Sequence, residues 1–443
     1  MFSTAGACKV ACRATLLSAA IEIVWRRRNV ATHGGGAVFL GLHLIDWILI
    51  ILIIAQLWTG WRKAFLVSLG ATAGFLAGAT AAFFCVPLMA RWIQDPAWRA
   101  AGLFLTFAVL LALGQGLGEA TAAQIRRWMD RPRPRWWDRL GGSVLYFVAT
   151  WITISALAFT WSALGMPWLS PQLANSKVVQ SVRDTTPEVM ERAFGEARLA
   201  VAALELPEIS VPKLSLSGPA PGDPSPAASP HASIPEGAQT TEQQHSAKDS
   251  IARVSGIASA CGVNQTGTSF AIAPDRLITN AHVVRGIEQP VVETPDGRAL
   301  TGRTVTFDPR RDIAVIAVDG LGMQPLEMGP TLRAGDHATF MGFPAGGPYT
   351  VSHAAVKQRA AAQLPNIYGN GSSSVDVYQL AADVKRGNSG GPLVDDDGKF
   401  SGMIFAKSKD EDNVGYAITN DELKTIVAEA PNRTAAVPTG TCE

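Results

Sequence analysis

The stretch VKRGNSGGPLV, residues 384–394, sets one small hydroxyl among glycine, asparagine and proline neighbours. A turn that only has to bend satisfies that composition. So does a nucleophile that must stand clear of side-chain bulk, with backbone N–H groups free to meet a carbonyl oxygen. The supply of a base separates the two, because a serine hydroxyl is a weak nucleophile and needs a base within hydrogen-bond reach. Histidines stand at 33, 43, 231, 245, 282, 337 and 353, so none follows Ser389.

A G-x-S-x-G turn also serves as the strand-to-helix elbow of α/β-hydrolases, where the base comes after the nucleophile. That reading fails here for want of a downstream histidine. Upstream, LITNAHVV sets His282 at the end of an apolar strand, and DPRRDIAVIAV sets Asp312 just before an alternating one. The order histidine, aspartate, serine is that of the chymotrypsin arrangement. Histidine titrates near neutrality, so it can take the serine proton and return it to a leaving amine. The aspartate fixes the imidazole tautomer. Asp308 is a rival for that role, but Asp312 directly precedes the strand and is preferred. Gly387 can take backbone angles that strain other residues, which lets its N–H point beside that of Ser389. Two such donors form an oxyanion hole worth roughly 3–4 kcal/mol per donor. Gly390 and Gly391 are read as leaving room for the histidine ring and substrate, and Pro392 as opening the next strand.

Outward from the serine, short apolar runs recur from Ile251 onward with turn residues between them, as in TPDG, PAGG and DDDG. That pattern predicts an all-β barrel or sandwich, with a helix only near NDELKTIVAEA (420–430). The run GMIFAK (402–407) is the expected partner of an extended substrate backbone, and MGFPAGG (341–347) is expected to border the same cleft. Asp383 precedes Ser389 by six positions. It either lines a specificity pocket for basic side chains or is a structural carboxylate.

With 443 residues, two or more domains are expected. A net charge of +1 argues against nucleic acid as a partner of the whole chain. The first 170 residues are strongly apolar. Four stretches, Val38–Trp58, Phe65–Met89, Ala101–Gly118 and Ser143–Leu164, are long enough to span a bilayer, which takes ~20 residues. Gly70, Gly74 and Gly78 lie on one helix face and predict close helix packing. Asp46, inside the first span, is either a functional buried carboxylate or a harmless interfacial one. The loop QIRRWMDRPRPRWWDRL carries six arginines, and Arg62 and Lys63 lie in the first loop. Both loops are therefore expected on the cytoplasmic side, which puts everything after about Leu164 outside the cytoplasm.

Residues 1–37 fit neither a signal peptide nor a folded unit, and WRRRNV there opposes the topology; an over-extended reading frame is the expectation. Residues 38–165 form the membrane domain and 166–250 a Pro/Ala/Ser-rich flexible linker. A short amphipathic helix is expected at 187–206, and a protease-like unit at 251–443. The cysteines at 8, 12, 85, 261 and 442 have no zinc spacing, so no structural metal and no cofactor are expected.

TNAHVV, DIAVIAV and GNSGGP together resemble the trypsin-like serine proteases of the chymotrypsin fold. The apolar half is similar to the colicin V production (CvpA) family. The combination looks like the actinobacterial membrane-anchored serine proteases linked to acid resistance, over about residues 40–442. The resemblance implies an N-terminal four-helix transmembrane domain and a C-terminal chymotrypsin-like double β-barrel. It also implies triad roles for His282, Asp312 and Ser389, and an oxyanion hole at Gly387 and Ser389. A disulfide between Cys261 and Cys442 is implied, of a kind an extracytoplasmic location permits and whose long loop would contribute about 5 kcal/mol. Protein substrates, self-cleavage in the linker, a periplasmic protease domain and a role in acid and oxidative stress are implied as well. One departure is Asn388, where many trypsin-like enzymes carry an aspartate that pairs with a new amino terminus; asparagine cannot form that ion pair. Two rival readings are a membrane export or channel scaffold with a non-catalytic binding module, and an esterase on the same triad.

Overall fold

A computed structural model describes residues 42–90, 96–129, 136–167, 169–187, 237–258 and 263–441, with short pieces at 38–39, 189–190, 193, 210–211, 216–219 and 232–235. The apolar half forms three long helices: α1 (Leu44–Ala90), α2 (Pro96–Trp128) and α3 (Trp136–Leu164). The first two expected spans share α1, which breaks at Ala64, where the backbone is non-helical (φ 63, ψ 170). A break orphans backbone groups that need other partners. Asp138 accepts from Phe65 N–H (3.2 Å) and Arg126 donates to Lys63 C=O (3.4 Å). In place of four separate spanning helices, two stretches among the described residues are long and apolar enough to cross a membrane, Leu44–Ala82 and Trp136–Ala158.

The small-residue face packs as its spacing requires. A Cβ at Gly74 would lie 2.1 Å from the Gly114 carbonyl oxygen, so α1 and α2 touch backbone to backbone. After α3 come α4 (Ser170–Ala174) and α5 (Lys177–Thr185), in the segment whose composition reads as linker. Ser176 caps α5, and Asp46 caps it a second time. The carboxylate accepts from Ser176 Oγ (2.6 Å), Val178 N–H (3.0 Å) and His43 N–H (2.9 Å). Asp46 is thus a buried structural carboxylate that ties α1 to α5. Most of the helix expected at 187–206 lies outside the described residues.

The C-terminal unit starts before residue 251. Thr241 and Gln244 form a capping box on α6 (Glu242–Ser246), and Gln244 Nε2 donates to Asp395 C=O (3.1 Å). One sheet contains β1 (Ile251–Ala258), β2 (Val263–Ala273), β3 (Arg276–Thr279), β4 (Val291–Glu293), β5 (Ala299–Thr301), β6 (Arg303–Asp308) and β7 (Ile313–Ala317). Its order is β6-β7-β3-β2-β1-β4-β5, an open path of antiparallel neighbours. The other contains β8 (His337–Gly342), β9 (Thr350–Pro365), β10 (Ser372–Ala381), β11 (Pro392–Val394), β12 (Phe400–Ser408) and β13 (Val414–Thr419). These pair in the order β8-β11-β12-β13-β10-β9, and β9 pairs back to β8, so this sheet closes on itself. Instead of two closed barrels, the pairing gives one closed sheet and one open one. The longest described helix of the unit, α8 (Asn420–Glu429), lies where the sequence places it, and the unit also has short helices that the sequence did not mark.

The main core lies between the sheets. Phe270 of β2 and Phe400 of β12 are buried with ring centroids 5.0 Å apart, a contact worth ~0.5–1.5 kcal/mol beyond its buried area. Thr279, at the end of β3, lies against Gly390 in the turn that precedes β11.

Candidate active site

His282 sits in the one-turn helix α7 (Ala281–Val284) that follows β3, and Asp312 immediately precedes β7. β3 and β7 are paired, with Thr279 opposite Ala314, so the two residues emerge side by side. Asp312 Oδ1 accepts the His282 backbone N–H (2.9 Å), and Oδ2 lies 2.7 Å from His282 Nδ1. Asp312 has φ 57, in the left-handed region that aspartate tolerates better than most residues. Asn280 Nδ2 fixes this corner by donating to Asp312 C=O (2.9 Å). Both side chains are nearly buried. The carboxylate selects the imidazole tautomer with its proton on Nδ1 and leaves Nε2 as the base. The rival Asp308 is occupied elsewhere: it caps Arg310 and Arg311 N–H groups and pairs with Arg311 Nε (2.7 Å).

Ser389 comes from the other sheet, in the turn between β10 and β11. Its hydroxyl donates a long hydrogen bond to Phe405 C=O (3.4 Å), on the strand GMIFAK. Thr268 of β2 joins this turn to the His282 sheet. Its N–H donates to Ser389 C=O (2.8 Å), its hydroxyl donates to Gly387 C=O (2.6 Å), and its C=O accepts from Thr279 Oγ1 (2.7 Å). Sequence pattern gave no sign of Thr268, because its partners lie 119 and 11 positions away and nothing local marks it.

Gly387 has φ 92, and a Cβ there would lie 2.3 Å from Phe343 C=O. Among the described residues neither its N–H nor that of Ser389 has a protein acceptor, which leaves two donors at the turn. The room at Gly390 and Gly391 is not kept for the histidine ring. A Cβ at Gly390 would strike Thr268 C=O at 2.1 Å, and one at Gly391 would strike Met341 C=O at 2.2 Å. Their missing side chains let the turn lie flat on β2 and β8. Asn388 is buried, its Oδ1 has no partner among the described residues, and its neutral amide can form no ion pair.

The loop Phe343–Gly347 does border the turn: Ala345 N–H donates to Arg386 C=O (2.7 Å). Asp383 stands more than half exposed, 3.2 Å from Lys385, in a cleft with Lys407 and Glu411 that neither His282 nor Ser389 lines. Cys261 and Cys442 lie outside the described residues. No group of three or more His, Cys, Asp and Glu side chains that could hold a metal ion occurs among the described residues.

The structure thus pairs His282 with Asp312, and it sets Ser389 on a separate turn with two N–H donors and its hydroxyl on Phe405 C=O. Sequence comparison gives the class. Residues 267–403 match the family described as trypsin-like peptidase domain, and residues 45–187 match the colicin V production protein family. The serine protease Rv3671c of Mycobacterium tuberculosis is 29% identical over 396 residues, covering 87% of this chain and 94% of that protein. The crystal structure of the Rv3671c protease in its active form is 32% identical with a TM-score of 0.47, covering 50% of this chain and 98% of that one. The serine protease HTRA1 of Xenopus laevis is 33% identical over 174 residues, 38% of this chain and 37% of its own length. Residues 267–403 thus carry a trypsin-like peptidase domain, and residues 45–187 a colicin V production domain on its N-terminal side.

Proposed function

We propose that this protein is a membrane-anchored serine endopeptidase of extracytoplasmic proteins. The observation that carries the reading is the double contact of Asp312 with His282, facing a turn that Thr268 fixes to the same sheet. Ser389 Oγ turns from Phe405 to His282 Nε2, gives up its proton and attacks a peptide carbonyl. Gly387 and Ser389 N–H groups hold the resulting oxyanion. The imidazolium, stabilised by Asp312, returns the proton to the leaving amine. Water activated by His282 then clears the acyl-enzyme.

In this reading the break at Ala64 divides α1 into two spans, so that α1, α2 and α3 cross the membrane four times. The arginine-rich loop at 124–140 lies in the cytoplasm and the protease outside it. The domains run from about residue 42 to 187, a tether to about 240, and the protease from Thr241 onward. The closed sheet and the open sheet are the two lobes of a chymotrypsin-like double barrel. A disulfide joins Cys261 to Cys442. In support, the stretch before Cys442 is docked: Gly286 N–H donates to Thr439 C=O (3.1 Å) and Thr439 Oγ1 donates to Ile287 C=O (3.1 Å). The tether is its own substrate, and Ser210–Val211 already pairs with Lys407–Ser408 at the edge of β12. Asp383 favours basic side chains in the neighbouring cleft. Envelope maintenance under acid and oxidative stress is the cellular role.

Hydrolysis of a quenched-fluorescent peptide library by the full-length chain in detergent tests the reading. Wild type cleaves and Ser389→Ala does not. Equal cleavage by both ends it, and wild-type turnover of esters but of no peptide would favour an esterase.

A further inference from the structure

The groups that hold the oxyanion turn lead back to the membrane half. A peptide unit is planar and trans, so its C=O and N–H point in opposite directions. Ala345 N–H holds the Arg386 carbonyl at 2.7 Å. The N–H of the same peptide, that of Gly387, must then face away from the loop and into the cleft. The direction of one oxyanion donor therefore depends on where Ala345 stands. Ala345 is itself held in an unfavourable conformation, with φ 60, which persists only when its surroundings impose it.

Arg253 of β1 supplies those surroundings. Its Nη1 donates to Gly346 C=O (2.6 Å) and Gly347 C=O (3.5 Å), and its guanidinium lies 5.8 Å from the Phe343 ring centroid. Arg253 is buried, and its Nη2 pairs with Glu293, its cross-strand neighbour on β4. The other carboxylate oxygen of Glu293 meets Arg183 Nη1 at 2.9 Å. Arg183 belongs to α5, the helix whose start is capped by Asp46 of α1. Ser155 of α3 lies 2.9 Å from Thr186 at the far end of α5. An unbroken series of contacts runs from the membrane helices through α5, Arg183, Glu293 and Arg253 to the loop that orients Gly387. These three charged residues line one cavity of about 240 Å³ between the two halves.

Resting on the serine protease reading, we propose that Arg253 is a positioning residue for the oxyanion hole, and that Glu293 and Arg183 make its hold depend on the seating of α5 against the membrane helices. The catalytic turn is then set from the membrane side, without any membrane residue touching substrate.

The test uses the full-length chain in detergent, with kcat per active site titrated by a fluorophosphonate. Arg253→Met lowers kcat per titrated site by about 10- to 100-fold, the scale expected for a misplaced catalytic group, with KM little changed. Arg253→Lys, which still reaches a loop carbonyl, recovers part of the loss. Arg183→Ala lowers kcat by a smaller factor, and adding it to Arg253→Met brings no further loss. A merely structural role would instead lower the melting temperature and the titratable fraction while leaving kcat per site at the wild-type value; that result overturns the proposal. Additive losses, or an unchanged kcat in Arg183→Ala, overturn the coupling to α5. Arg183 is one-third exposed, so its variant carries the test where Arg253→Met folds poorly. Ser389→Ala in the same preparation separates the two failures: persistent cleavage removes the protease reading, whereas loss of cleavage with a normal Arg253→Met removes only the relay.

Discussion

Gly387→Ala probes the catalytic turn with a single methyl group. The added Cβ would lie 2.3 Å from the Phe343 carbonyl oxygen and 2.9 Å from Ala345 N, both backbone atoms. Neither can retreat as a flexible side chain could. The native φ of 92 is also one that L-residues avoid, at a cost of about 1–3 kcal/mol. The turn must therefore rotate at Gly387, and rotation takes its N–H away from the oxyanion. Loss of one such donor costs about 2.7–4 kcal/mol in the transition state, or 10²–10³ in kcat. Steady-state hydrolysis of a peptide substrate, normalised to titrated sites, reads kcat and KM separately. The expected result is a kcat lower by that factor with KM nearly constant, because the donor acts on the transition state and not the ground state. Thermal unfolding falls by about 2–12 °C, since each ~1 kcal/mol moves a domain of this size by ~2–4 °C. A kcat within about threefold of wild type in a folded variant refutes the reasoning.

Further outcomes follow from other contacts. Asp312→Asn keeps the fold but presents the wrong partner to His282 Nδ1, and kcat falls by about 10⁴; peptide hydrolysis checks this. Glu293→Gln destabilises the full chain near neutral pH, by about 3–5 kcal/mol for a broken buried pair. Burial pushes the Glu293 carboxyl up, but the Arg253 and Arg183 charges outweigh it and hold the carboxyl below its ordinary range. The stabilisation is therefore complete above the ordinary glutamate pKa and lost as pH falls below it through the lower folded value. Urea midpoints of wild type and Glu293→Gln should differ at neutral pH and mildly acid pH, and converge only in stronger acid. In the membrane half, Gly74→Leu wedges α1 from α2 and lowers thermal stability in detergent, by ~1–3 kcal/mol on the scale of overpacking. Gly116→Leu is its control, since a Cβ there meets nothing within 4 Å.

The three residues proposed as catalytic each sit in a short local pattern. TNAHVV ends a strand at His282, DIAVIAV starts one at Asp312, and GNSGG cannot be anything but a tight turn. The order of the three along the chain then chose between folds. What stayed hidden depends on long-range contacts. Thr268 reaches Gly387 across the two sheets, and Arg253 reaches Gly346 across 93 positions; neither lies in a pattern of its own. Composition marked residues 166–250 as tether, yet Lys177–Thr185 is a helix because Ser176 and Asp46 both cap it. The apolar pattern also could not show that Ala64 breaks one helix without a loop. Asp138 and Arg126, far along the chain, supply the hydrogen bonds that make the break tolerable.

The account stands on Ser389 as an activated nucleophile. The most direct measurement is to treat the full-length chain with a fluorophosphonate and map the adduct by mass spectrometry, beside His282→Ala and Ser389→Ala. The account predicts one adduct on the peptide carrying Ser389, sharply slowed in His282→Ala and absent in Ser389→Ala. An adduct on another residue, or peptide cleavage that survives in Ser389→Ala, would contradict it.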